Sequence, residues 1–79
     1  MFELKRTDEL VRIASAGGGF SINAGLRQTS DLITIARAGS IHGAPLVFRG
    51  LNLRTTDEIV SIAQAGKGCV SFEEKLEEK

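Results

Sequence analysis

At 79 residues the chain is long enough for one small domain, and a domain of this size buries only about 60% of the surface its unfolded form exposes. Its composition, 42% hydrophobic and 25% charged, is that of a globular protein, and ten basic residues balance ten acidic ones. That balance removes any global attraction to nucleic acid or to an anionic membrane. The opening Met1-Phe2-Glu3-Leu4-Lys5 carries charges where a signal peptide has an apolar stretch, and no run approaches the roughly 20 apolar residues of a spanning helix. Cys69 is the only cysteine, so no internal disulfide forms. Together these favour a cytoplasmic protein.

Three segments, 4–17, 26–39 and 53–66, align without a gap. They share Leu, a cation, any residue, Thr, two mostly acidic residues, two aliphatics, any residue, Ile-Ala, any residue and Ala-Gly. Internal similarity on this scale signals a repeat architecture.

In chain order, Phe2-Glu3-Leu4 reads as a short strand. A helix follows from Thr7, whose hydroxyl is placed to cap it, with Asp8 and Glu9 at the positive end of its dipole. Leu10, Ile13 and Ala14 share one face, and Gly17 ends the helix. Phe20-Ser21-Ile22-Asn23-Ala24-Gly25-Leu26 alternates as a strand does. Thr29 opens the second helix, Leu32, Ile35 and Ala36 repeat the apolar face, and Gly39 ends it. The loop Ser40-Ile41-His42-Gly43-Ala44-Pro45 leads to a second long strand, Leu46 to Leu53. Thr56 opens the third helix, with Ile59, Ile62 and Ala63 on its apolar face and Gly66 at its end. Val70-Ser71-Phe72 is the last strand.

Strands alternating with helices imply parallel pairing through right-handed crossovers. The expected fold is therefore α/β: a short solenoid of three strand–turn–helix repeats plus a final strand, with four parallel strands and helices on one face. Spacings of 22 and 27 residues fall in the range of leucine-rich-repeat units. The likeness is one of architecture, because Leu-x-x-Leu-x-Leu followed by Asn is absent. Residues 1–73 form the single domain and 74–79 a charged tail.

In this reading Leu26, Leu51 and Leu53 face the helices with the other apolar strand residues. Ser21, Asn23, Asn52 and Ser71 then lie on the open sheet face, the expected protein-binding surface. Free sheet edges are templates for pairing, so a homo-oligomer is expected. A second candidate is the column Lys5, Arg6, Arg27 and Arg54 before the helices, an alternative site for an anion or nucleic-acid backbone; nearby Asp8, Glu9, Asp31, Asp57 and Glu58 offer these cations partners within the chain. Without Trp or Tyr for stacking, nucleic acid is not expected. His42, the only histidine, has no nucleophile or carboxylate motif beside it. One histidine and one cysteine fall short of a zinc site. Gly17-Gly18-Gly19 follows a helix, whereas a phosphate loop opens one. The expected function is a non-enzymatic protein–protein interaction module with no cofactor, metal or membrane.

Overall fold

The computed structural model describes residues 5–73. In chain order they form α1 (Thr7–Ser15), β1 (Phe20–Asn23), a 3-10 turn (Ala24–Leu26), α2 (Thr29–His42), β2 (Leu46–Arg49), α3 (Thr56–Gly66) and β3 (Val70–Glu73). The strands lie in sequence order and are parallel throughout. Phe20, Leu46 and Val70 form one row across the sheet, and Ile22, Phe48 and Phe72 another. The first expected strand, Phe2-Glu3-Leu4, lies outside the described residues, as do residues 74–79.

The helices pack side by side in the order α1, α2, α3. Their apolar faces and one face of the sheet enclose a core whose largest fully buried side chains are Phe48, Leu10, Ile22, Leu32, Ile35, Leu46 and Ile62. Phe48 also meets Phe72 edge to face, with ring centroids 6.5 Å apart. Among the described residues no polar or charged side chain is buried.

The helix starts differ from the sequence reading by one residue. Thr7, Thr29 and Thr56 are the first helical residues, and the extended residues before them, Arg6, Gln28 and Thr55, are the caps. In α3 this yields a reciprocal capping box: the Glu58 N–H donates to Thr55 Oγ1 at 3.2 Å, and the Thr55 N–H donates to Glu58 Oε1 at 2.9 Å. Thr7 and Thr29 are thereby released for another task, described below.

The end of α2 also differs, whereas α3 ends at Gly66 as expected but with the left-handed conformation on the next residue. α2 runs through Gly39 to His42 and is capped by left-handed Gly43, so the first half of the expected loop is an extra helical turn. α3 includes Gly66 and is capped by Lys67, at φ 50°. Gly39 and Gly66 are needed for closeness: a Cβ on Gly39 would lie 2.8 Å from Leu46 Cδ1, and one on Gly66 2.4 Å from Val70 Cγ2. Each lets its helix lie on the first residue of the following strand.

Candidate interaction surface

Strand alternation leaves the other sheet face uncovered by helices among the described residues. It carries two rows, Ser21–Val47–Ser71 and Asn23–Arg49–Glu73. Ser21, Asn23 and Ser71 are therefore brought together as expected. Asn52 is not: β2 ends at Arg49, Gly50 turns the chain at φ 81°, and Asn52 lies exposed in that turn. Val47 and Arg49 occupy the face instead, and Arg49 Nε donates to Ser21 Oγ at 3.0 Å. Both were legible from the alternation of Leu46 and Phe48. Counting the strand phase back from Leu51 and Leu53 hid them.

The same early strand ends reverse the expectation for two leucines. After β1, the Arg27 N–H closes a turn onto Ala24 O at 3.1 Å; after β2, the Arg54 N–H closes a like turn onto Leu51 O at 2.9 Å. Ala24 and Leu51 are buried, whereas Leu26 and Leu53 are 88% and 93% exposed. The Arg54 guanidinium reaches the Arg27 carbonyl, so the two turns that carry the leucines are linked at the C-terminal end of the sheet. Because both side chains are already in solvent, Leu26→Ser with Leu53→Ser is expected to change folding stability by no more than about 0.5 kcal/mol; a urea titration of the double variant measures it, and a large loss would contradict their exposure.

The cation column is a ladder that ties the three segments together. Arg27 Nη1 donates to Thr7 Oγ1 at 3.2 Å and Nη2 to the Lys5 carbonyl at 2.6 Å. One segment on, Arg54 Nη1 donates to Thr29 Oγ1 at 2.6 Å and Nη2 to the Arg27 carbonyl. Each arginine thus spans the hydroxyl and carbonyl of the segment before it, which is why threonine recurs in the pattern. Thr29 Oγ1 in turn donates to Glu58 Oε2 at 3.2 Å. Arg6 is apart from this ladder and pairs with Asp8 at 3.3 Å in the open. The acids near the cations thus have varied partners: Glu9 Oε1 accepts the Arg6 N–H at 2.8 Å, while Glu58 serves its cap and Thr29.

The Thr55 backbone N–H holds the Glu58 carboxyl below its ordinary range, with smaller help from the Thr29 and Thr55 hydroxyls and from Arg54, and partial desolvation opposing them. A group whose pKa is depressed on folding stabilises the native state above its unfolded pKa, and that contribution disappears as the pH falls through the folded value. Part of the loss of stability on acidification is therefore expected to vanish in Glu58→Gln. Urea midpoints for both proteins from neutral pH to below the carboxylate range measure it; parallel curves would contradict the assignment.

His42 is the exposed last residue of α2 and not a loop residue. Cys69 is half-buried and free. Among the described residues no three His, Cys, Asp or Glu side chains are grouped to hold a metal ion, and no helix is long and apolar enough to cross a membrane.

These features define a small α/β domain of three helices on a three-stranded parallel sheet, with exposed leucines and an internal arginine–threonine ladder. No family model matches the chain, and no curated protein or solved structure matches it.

Proposed function

We propose that this chain is a non-enzymatic protein–protein interaction module that associates with itself. We read it as a tandem-repeat α/β solenoid of three strand–turn–helix units, with Phe2–Leu4 as a fourth parallel strand, working in the cytoplasm.

The observation that carries the reading is the placement of large apolar side chains in solvent. Leu26 and Leu53 are almost fully exposed on turns that Arg54 links, and at the α3 and β3 end Val60 is 44% and Phe72 36% exposed. Scattered exposed apolar residues need no explanation, but large ones that recur at the same pattern position support a contact surface. Repeat folds yield extended surfaces of this kind. The uncovered sheet face with Ser21, Asn23, Val47, Arg49 and Ser71 is a second surface open to a protein partner. The cation column supports the anion-binding alternative less well, because Arg27 and Arg54 direct guanidinium donors to their own chain.

Co-expressing two differently tagged copies tests self-association. Retaining one copy on affinity resin is expected to retain the other through a salt wash. Recovery of the tagged copy alone contradicts the reading.

A further inference from the structure

We propose that copies of this chain join head to tail, the outer side of α1 in one copy docking on the outer side of α3 in the next as α2 docks on α1 and α3 on α2. The proposal rests on the self-association reading and specifies its geometry.

The chain contains a like joint twice, between α1 and α2 and between α2 and α3; its carboxylate contact is taken from the second, because the α2 position holds the shorter Asp31. One half of it is the carboxylate, isoleucine and second alanine of the shared pattern. In α2, Ile35 and Ala38 are buried; in α3, Ile62 is buried, Ala65 packs on the core, and Glu58 accepts from Thr29 of the segment before. In α1 the equivalent residues are Glu9, Ile13 and Ala16. Ile13 is only half-buried and Ala16 is exposed. With Lys5, Glu9 and Arg12 they line an open groove of about 370 Å³.

The other half is the pattern threonine, the second aliphatic and the first alanine. Thr7 and Thr29 are half-buried, Val11 and Ile33 pack on the core, and Ala14 and Ala36 are fully buried. At the last segment Thr56 is exposed, Val60 is 44% exposed and Ala63 is half-buried. The two ends of the helix layer therefore present complementary halves of an interface already formed between α1 and α2 and between α2 and α3.

The polar groups follow the same rule. In the joined copies Glu9 stands to Thr56 as Glu58 stands to Thr29, and Lys5 stands to Thr56 and the Arg54 carbonyl as Arg54 stands to Thr29 and the Arg27 carbonyl. Lysine offers a compact ammonium where the internal joints use a guanidinium fork, so this joint is the weaker version of the ladder. A contact between unlike faces is heterologous, closing into a ring or running on as a filament.

The test uses one variant for each face, Ala16→Arg and Val60→Arg. Both positions are exposed, so circular dichroism and melting temperature are expected to match the wild type. Each variant alone is expected to be monomeric by light scattering, and an equimolar mixture to form a 1:1 dimer, because each copy keeps the face that the other has lost. A mixture that stays monomeric while the wild-type chain associates overturns the head-to-tail joint and leaves self-association standing. A wild-type chain that is monomeric throughout a dilution series overturns both. Lys5→Arg provides a check independent of those variants. By restoring the fork it is expected to lower the concentration at half-dissociation roughly tenfold, and an unchanged or higher value overturns the proposal.

Discussion

Phe48→Ala is expected to destabilise the domain by about 3–5 kcal/mol, a large part of the roughly 4–12 kcal/mol available to a chain of this length. Phe48 is fully buried at the centre of the middle strand, flanked by Ile22 on one side and Phe72 on the other, beneath the helix layer. No neighbour is free to collapse into the space, because the strands on both sides are hydrogen-bonded in register. Phe72→Ala makes the useful contrast. Its ring meets the same partner edge to face but is 36% exposed on an edge strand, so it is expected to cost less than half as much. Urea denaturation of the two variants measures the difference; equal losses would contradict the placement of the core.

Arg54→Ala is expected to cost about 2–3 kcal/mol, the scale for removing two hydrogen bonds from a charged donor to partly buried acceptors. The guanidinium bridges Thr29 Oγ1 and the Arg27 carbonyl, and its removal also unsettles the Thr29 to Glu58 bond. Arg54→Lys is expected to recover less than half of the loss, because an ammonium does not reproduce the planar fork. Arg6→Ala is the control. Its side chain pairs with Asp8 in the open, and an exposed pair of this kind is worth about 0–1 kcal/mol. If chemical denaturation gave Arg54→Ala and Arg6→Ala the same small effect, the ladder would be ornamental to the fold.

The recurrence of the three segments, the three helices and the parallel order of Phe20–Asn23, Leu46–Arg49 and Val70–Glu73 were all legible, because they rest on periodicity and on the rule for crossovers. The errors lie where one residue type serves two physical ends. A threonine followed by acids reads as a cap, yet the pattern threonine is the acceptor for the next arginine. In all three segments the cap is the residue before it, Arg6, Gln28 or Thr55, and Thr55 fills that role with its own hydroxyl. A glycine after an Ala reads as a helix end, yet Gly39 and Gly66 are there for close packing on Leu46 and Val70. The alternation through Gly25 and Gly50 reads as continuous strand, yet the chain turns there and carries Leu26 and Leu53 out to solvent. That outward turn also displaced Asn52 from the sheet face and hid Val47 and Arg49. The ladder itself was foreshadowed only as a column of cations, since no pattern in one chain states which carbonyl a guanidinium will reach.

The apolar side chains left in solvent and the two ends of the helix layer both support the proposal that this chain binds copies of itself. Light scattering coupled to size-exclusion chromatography over a dilution series tests it most directly. A self-associating chain is expected to show a mass that is a multiple of 8.5 kDa at high concentration and falls towards the monomer on dilution. A mass of one chain at every concentration would contradict it.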